Sequence, residues 1–159
     1  MMELRRMSLL ACWRVISWRN AARAYMRTPT DDTCWSQFKF WLRVILNPFS
    51  PHRYRAAYLD GRLVAMVGLC NIVKGERAEI SLITHPEQRG RGIGGRVVRM
   101  TVIEARRLGI PLVWGEVYAH NPACTFWYRL VDSLGGKWQP ITAGRDGKLV
   151  PAYYFEVRP

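Results

Sequence analysis

The sequence predicts an α+β fold, a mixed and mostly antiparallel central sheet flanked by helices, formed as a single domain over residues 1–159. Three observations carry this. Two β-rich runs in "RYRAAYLDGRLVAMVGLCNIV" are joined by Asp60-Gly61, a strong hairpin signal. One strand–helix–strand crossover follows, with a glycine-rich loop between its strand and its helix. A second hairpin signal, Asp146-Gly147, turns the tail back on itself. A chain of 159 residues with 49% hydrophobic content fills one substantial core rather than two.

The elements can be justified in order. "MELRRM" reads as a short first strand, and "SLLACWRVISWRNAARAYM" as a helix with Leu9, Trp13, Ile16 and Ala21 near a 3.6-residue period. Thr30 and Asp31 offer an N-cap before "CWSQFKFWLRVIL", where Trp35, Phe38, Leu42 and Ile45 make an apolar face. After the hairpin, "RAEISLIT" is a further strand running into the loop. "GGRVVRMTVIEARRL" is a helix stopped by Gly109, with Pro111 behind it. "PLVWGEVYA" is a strand, and Asn121-Pro122 supplies an N-cap and first-turn pair for "ACTFWYRLVDSL", which Gly135-Gly136 end.

Charge and cysteine usage narrow the class. The formal net charge is +12, with 20 of the 24 basic residues arginine. Residues 1–55 hold 10 basic residues against 3 acidic ones, so the excess is concentrated at the N-terminal third. Arginine's planar fork suits phosphate. The arginine preference has a second reading in the base composition of the gene, but the excess itself does not. Cys12, Cys34, Cys70 and Cys124 are widely spaced and form no C-x-x-C pair, as in a reduced, cytoplasmic protein. No segment reaches the run of about 18 apolar residues that a membrane span needs, and the N-terminus lacks a signal-peptide core. No cluster has metal-ligand spacing, and no Ser-His-Asp or Cys-His pairing is indicated.

The stretch "THPEQRGRGIGGR" carries the chemistry. Gly90, Gly92, Gly94 and Gly95 sit among Arg89, Arg91 and Arg96, between a strand and a helix. Successive backbone N–H groups and the positive helix end converge there, which suits a phosphate. Gly90, Gly92 and Gly95 also satisfy G-x-G-x-x-G, with Glu116 about twenty residues on, as a dinucleotide site has. Against that, "HPEQR" intervenes between strand and first glycine, and the preceding strands form a hairpin rather than a first βαβ unit.

"HPEQRGRGIGGRVV" resembles the acetyl-CoA loop of the GNAT acetyltransferase superfamily, whose Q/R-x-x-G-x-G/A pattern is met by Arg89, Gly92 and Gly94. "GEVYAHNPACTFWYRL" resembles the later segment of that superfamily, with Asn121 and Tyr128 seven residues apart. "ISWRNAARAYMRTPT" and "FKFWLRVI" resemble the branch that includes ribosomal-protein N-terminal and amino-sugar acetyltransferases. The chain departs from the pattern at Cys124, where alanine is usual, and in a Tyr128 helix about one turn longer before Gly135.

The resemblance implies a GNAT-like single N-acetyltransferase domain with acetyl-CoA as acetyl donor and no metal. It assigns cofactor binding to Leu82, Ile83 and Thr84 on a strand splayed from its neighbour, to the loop Arg89, Gly90, Arg91, Gly92, Ile93, Gly94 and Gly95, and to Asn121. An ordinary buried strand and a solvated charge run are the plain alternatives for the strand and the arginines. Tyr128 is implied as general acid, against a core aromatic like Phe126 and Trp127. Glu116 is implied as base; Glu79 is its rival, and strand parity, which sets Glu79 opposite Leu82, favours Glu116. His85 and His120 read as solvated loop residues. The acceptor is a primary amine, carried on a polyanion such as a modified nucleic-acid base or a nucleotide-linked amino sugar, or else the α-amine or a lysine of a protein. A basic nucleic-acid-binding module on the same fold is the non-enzyme alternative.

Overall fold

A computed structural model describes residues 1–25, 34–145 and 147–159. The proposed cap at Thr30-Asp31, Arg27 of the basic N-terminal third, and Asp146 of the second turn lie outside the described residues. Seven strands form one sheet: β1 (Met2–Arg6), β2 (Arg53–Leu59), β3 (Arg62–Val73), β4 (Arg77–Thr84), β5 (Val113–Tyr118), β6 (Lys137–Arg145) and β7 (Lys148–Val157). Their order is β1-β2-β3-β4-β5-β7-β6, and every neighbouring pair is antiparallel except β4 with β5. This is the α+β, mostly antiparallel arrangement that the sequence predicts.

Four helices cover the sheet: α1 (Leu9–Ala21), α2 (Cys34–Leu46), α3 (Ile93–Arg107) and α4 (Cys124–Ser133). α1 and α2 close over β2, β3 and the end of β4 in a core of Cys12, Val15, Ile16, Trp41, Ala56, Leu63, Met66 and Ile83. The other face carries the larger core, in which Val97, Val98 and Val102 of α3 and Leu130 and Val131 of α4 meet Val67, Ile80, Val113 and Phe155. The Arg55 guanidinium of β2 reaches Glu104 of α3 through Nε at 3.0 and 3.3 Å and ties that helix to the sheet.

The turns obey local backbone chemistry. Asp60 and Gly61 both have positive φ, 50° and 78°, which gives the β2–β3 hairpin the left-handed turn that matches strand twist. Gly109 ends α3 at φ 68° and Gly135 ends α4 at φ 65°. α4 begins two residues later than its sequence signal. Asn121 instead caps the preceding turn, where its side-chain oxygen accepts the Ala123 N–H at 2.8 Å, and the position before the helix is Ala123.

The helix faces require correction. Of the residues expected to face inward on α1, only Ile16 is buried; Trp13 is 58% exposed, and Ala11, Cys12, Val15 and Trp18 take the inner stripe. On α2, Trp35 is 60% exposed, while Gln37 and Trp41 are buried. α1 is apolar on more than one side, so its periodicity offers two stripes of similar strength, whereas α2 is amphipathic and its expected Phe38 does pack, half-buried, against the core. The small stripe Ala11-Cys12-Val15 lets α1 lie close to the sheet, and Trp41 seats edge-on against the Tyr54 ring at 4.4 Å. Trp13 and Trp35, left outside, flank the half-buried Phe38 at 6.4 and 5.8 Å.

Gly115 fixes how closely β5 approaches the layer that holds α4. A Cβ there would lie 2.5 Å from the Phe155 ring, which is itself stacked on Trp127 at 4.9 Å. Gly115→Ala therefore overpacks this face and should lower stability by about 1–3 kcal/mol. Thermal or denaturant unfolding measures it, and an unchanged midpoint would show that the ring yields freely.

Candidate active site

The geometry begins where β4 and β5 part. They pair only at Ala78↔Val113 and Glu79↔Trp114, so the edge of Ile80–Thr84 that faces β5 has no strand opposite it. The other edge of β4 remains paired with β3 as far as Thr84↔Ala65. A main-chain segment left half-paired in this way offers donors and acceptors to an extended ligand. Of the three predicted strand positions, Leu82 lies on the α3/α4 side, Ile83 is buried beneath α1, and Thr84 ends the strand.

The glycine loop lies at the end of β4. His85 opens it, its ring nitrogen accepting the Glu87 N–H at 3.2 Å, and a 3-10 turn at Pro86–Gln88 follows. Arg89, Gly90 and Arg91 are exposed. Gly92, at φ 73°, stands at the N-terminus of α3 without a side-chain cap, and the Arg96 N–H is bonded to its carbonyl at 3.3 Å. The amides of Ile93, Gly94 and Gly95 therefore belong to the first helical turn, whose N–H groups have no intrahelical partner. A Cβ built at Gly90 or Gly92 meets no atom within 4 Å, so the space before the loop is open. Ile93 turns its side chain into the core. A Cβ on Gly94 would lie 3.1 Å from Phe126 and 3.3 Å from Leu82, which draws the start of α3 against α4 beside the strand split. Open glycines, uncapped helical amides and neighbouring arginines suit the pyrophosphate of a nucleotide thioester.

The opposite face of the split carries the carboxylates. Gly115 points at Phe155 and Ile80 lies in the α3/α4 core, so Trp114, Glu116 and Glu79 all face the other way. Strand parity therefore does not separate the two candidate bases; it puts both opposite Leu82. Glu79 stands at the vertex and accepts the Asn71 side-chain N–H at 2.8 Å. Glu116 lies nearer the mouth, with Tyr154 as its β7 partner. Trp114 stacks on Tyr154 at 5.9 Å. Burial, and then the Glu156 and Glu116 carboxylates, push the Tyr154 hydroxyl above its ordinary range, partly offset by Arg77. Among the described residues, the buried α1/α2 cluster takes no member from β5 or β7.

The mouth is framed by aromatic and basic groups. His120 is exposed in the turn after β5, as the sequence reads, and there it stacks on Tyr118 at 5.5 Å and sits 2.7 Å from the Arg145 guanidinium. Asn121 donates to the Tyr25 carbonyl at 3.3 Å and so ties the β5–α4 turn to the end of the first helical segment. Tyr128 is 52% exposed, its ring edge-on to Trp138 at 5.6 Å. Phe126 is the α4 residue brought to Leu82 and Gly94; Tyr128, two positions on, points to another side of the helix. Sequence reading missed Asn71, Trp114 and Tyr154. The alternation Trp114-x-Glu116 carried a signal for one of them.

A glycine loop at a helix N-terminus, opening onto a split parallel strand pair, is the architecture of an acyl-group transferase. Residues 13–131 match the acetyltransferase (GNAT) family, and the chain belongs to that family. It is accordingly an acetyl-CoA-dependent N-acetyltransferase. Solved structures with the same fold include yncA of Salmonella typhimurium with its cofactor acetyl-CoA, at 16% identity and TM-score 0.79 over 99% of this chain and 94% of that one. A ribosomal-protein-alanine N-acetyltransferase from Brucella melitensis gives 14% identity and TM-score 0.80, covering 99% of each. The spermidine/spermine N-acetyltransferase SpeG of Vibrio cholerae gives 14% and 0.81 over 99% and 93%. At these identities the likeness is one of fold. No curated protein matches the chain in sequence.

Proposed function

We propose that the chain transfers the acetyl group of acetyl-CoA directly to a primary amine within a ternary complex, on the face of the split that carries Glu79 and Glu116. The observation that carries this reading is the parting of β4 from β5 after two residue pairs, with the glycine loop on one side and two carboxylates on the other. Acetyl-CoA supplies a thioester carbonyl and a sulfur leaving group. The amides and arginines of Arg89–Gly95 hold the pyrophosphate, and the half-paired edge that includes Leu82, Ile83 and Thr84 receives the pantetheine arm. Asn121, at the β5–α4 turn, borders the arm.

As the C–N bond forms, Glu116 takes the amine proton through a water; as the C–S bond breaks, Tyr128 returns a proton to sulfur. The Tyr128 role rests on its spacing from Asn121. Burial pushes the Cys12 thiol up to about 11 and the Cys70 thiol up to about 12, which suits packing rather than an acyl-enzyme nucleophile. Direct attack is the simpler path.

The acceptor is read as an amine on an anionic body. Its ammonium group suits the acidic floor of Glu79 and Glu116, with the Trp114 and Tyr154 rings beside it. Its anionic body suits the basic surroundings: Arg145 over the Tyr118 ring at 5.3 Å, Arg19 within electrostatic reach of Tyr54, and exposed Arg43. Arg23 belongs to the same basic third of the chain.

Three outcomes test the reading. Acetyl-CoA should raise the melting temperature of the wild type, and Gly92→Glu should abolish the rise by filling the open loop with bulk and negative charge. An undiminished rise would remove the loop from the site. Glu116→Gln and Tyr128→Phe should each keep the acetyl-CoA KM while kcat falls by about a hundredfold, the scale of general acid–base catalysis. Full turnover in either variant would return that side chain to a packing role. The acceptor KM should rise steeply with salt as phosphate contacts are screened. A KM that responds only for acetyl-CoA would leave the acceptor neutral or cationic, as in protein or polyamine acetylation.

A further inference from the structure

One residue beside the vertex adopts a left-handed backbone conformation that, glycine apart, asparagine takes more readily than most residues. Asn71 of β3 has φ 49°, in the left-handed region, and it lies in an irregularity of the β3–β4 ladder. The register passes from Cys70↔Glu79 to Val73↔Arg77, so β3 fits one more residue than β4 across the same span. That is a β-bulge, a device that re-aims a side chain. On a regular strand Asn71 would point away from the face shared by Cys70 and its partner Glu79. The bulge brings its amide to that face, where Nδ2 donates to Glu79 Oε2 at 2.8 Å.

The distortion is held from behind. The Asn71 backbone N–H donates to His52 Nδ1 at 3.3 Å, and the Ile72 N–H donates to the Pro51 carbonyl at 2.9 Å. Beside it the Cys70 thiol meets the Tyr54 hydroxyl at 3.1 Å, and Tyr54 is wedged beneath Trp41. Conformations of this cost persist only where their surroundings over-determine them, and they concentrate at functional sites. Glycine is the residue with least strain in such a backbone, and the side chain found there spans to a carboxylate at the last β4–β5 pair before the strands part.

We infer that Asn71 is a positioning residue, whose amide fixes the Glu79 carboxylate over the vertex so that it receives and orients the acceptor's ammonium group while Glu116 takes the proton. The inference rests on the proposed acetyl transfer at this split. It gives the two carboxylates different tasks: Glu79, tethered by the bulge, aligns the amine, and Glu116, nearer the mouth, relays its proton.

The experiment is a double-mutant cycle read on a panel of primary amines comprising polyamines, amino sugars, nucleotide-linked amino sugars and peptide N-termini. Asn71→Gly keeps the left-handed backbone and removes the amide. It should leave the melting temperature unchanged or higher and the acetyl-CoA KM unchanged, while the acceptor kcat/KM falls about tenfold or more through misplacement of the reacting groups. Asn71→Asp tolerates the backbone but sets a second carboxylate against Glu79, and it should lose at least as much. Glu79→Gln should lose activity by itself, and adding Asn71→Gly to it should cost no further activity, because the two act as one unit. Asn71→Gly activity within about twofold of wild type, or an undiminished Asn71→Gly loss in the Glu79→Gln background, would overturn the inference. A wild type that binds acetyl-CoA yet acetylates no amine of the panel would instead sink the transfer reading, and this inference with it.

Discussion

The parting of two parallel strands governs the rest of this structure. Parallel pairs seldom stand alone, and here the only parallel contact among the described residues lasts for two residue pairs before β4 and β5 separate. The separation has structural causes on each side. β4 stays locked to β3 along its other edge up to Thr84. β5 is drawn away by its antiparallel ladder with β7 from Val113 to Tyr118, seated by the close approach of Gly115 to Phe155. An unpaired main-chain edge inside a sheet is a cost in a protein that only needs to fold. It becomes an asset when an extended ligand can serve as the missing strand, and the glycine loop at the end of the same β4 stands where the phosphate end of that ligand would lie.

The split also divides the chemistry between two faces. On the α3/α4 side are open glycines, helical amides and arginines, all suited to anions. On the far side are Glu79, Glu116, Trp114 and Tyr154, suited to an ammonium group. A chain with a formal charge of +12 holds only 12 acidic residues, and two of them converge beside the vertex. Attraction of the anionic cofactor to the acidic face, and of the acceptor's ammonium group to the basic one, is thereby opposed by like charge. Glu156, a third acidic residue on this face, is tied to Lys137 at 3.3 Å, so the two carboxylates nearest the vertex define its character.

Much of this was legible in the sequence where local rules dominate. Asp60-Gly61, Gly109 and Gly135 take positive φ because nothing else fits those turns, and the glycine loop announced itself by composition. The crossover and the final hairpin were legible too, though not that β7 rather than β6 lies against β5. What was not legible depended on tertiary choice. α1 presents apolar residues on more than one side, and the sheet selected its stripe of small residues over the one bearing Trp13; on α2 it took Gln37 and Trp41 and left Trp35 outside. Parity arguments also failed between strands: Glu79 and Glu116 lie on different elements, and only the register Glu79↔Trp114 shows that they share a face. The Asn71 bulge had no signature at all, because "LCNIV" reads as uninterrupted strand.

That bulge bears on how the two carboxylates differ. A flexible glutamate at the edge of a split sheet samples several rotamers, and ordering it on substrate arrival consumes binding energy. A side-chain hydrogen bond from a distorted but well-braced backbone moves that ordering into the folding of the protein itself. Pro51, His52, Tyr54 and Trp41 pin the bulge from the β2 side, and the α1/α2 core pins Tyr54 and Trp41 in turn. The vertex carboxylate is thus connected through hydrogen bonds and packing to the α1/α2 core. Glu116 rises from the regular β5–β7 ladder beside Tyr154. A rigid carboxylate suits holding an ion in place, and one on a regular strand near the mouth, within reach of water, suits passing a proton onward.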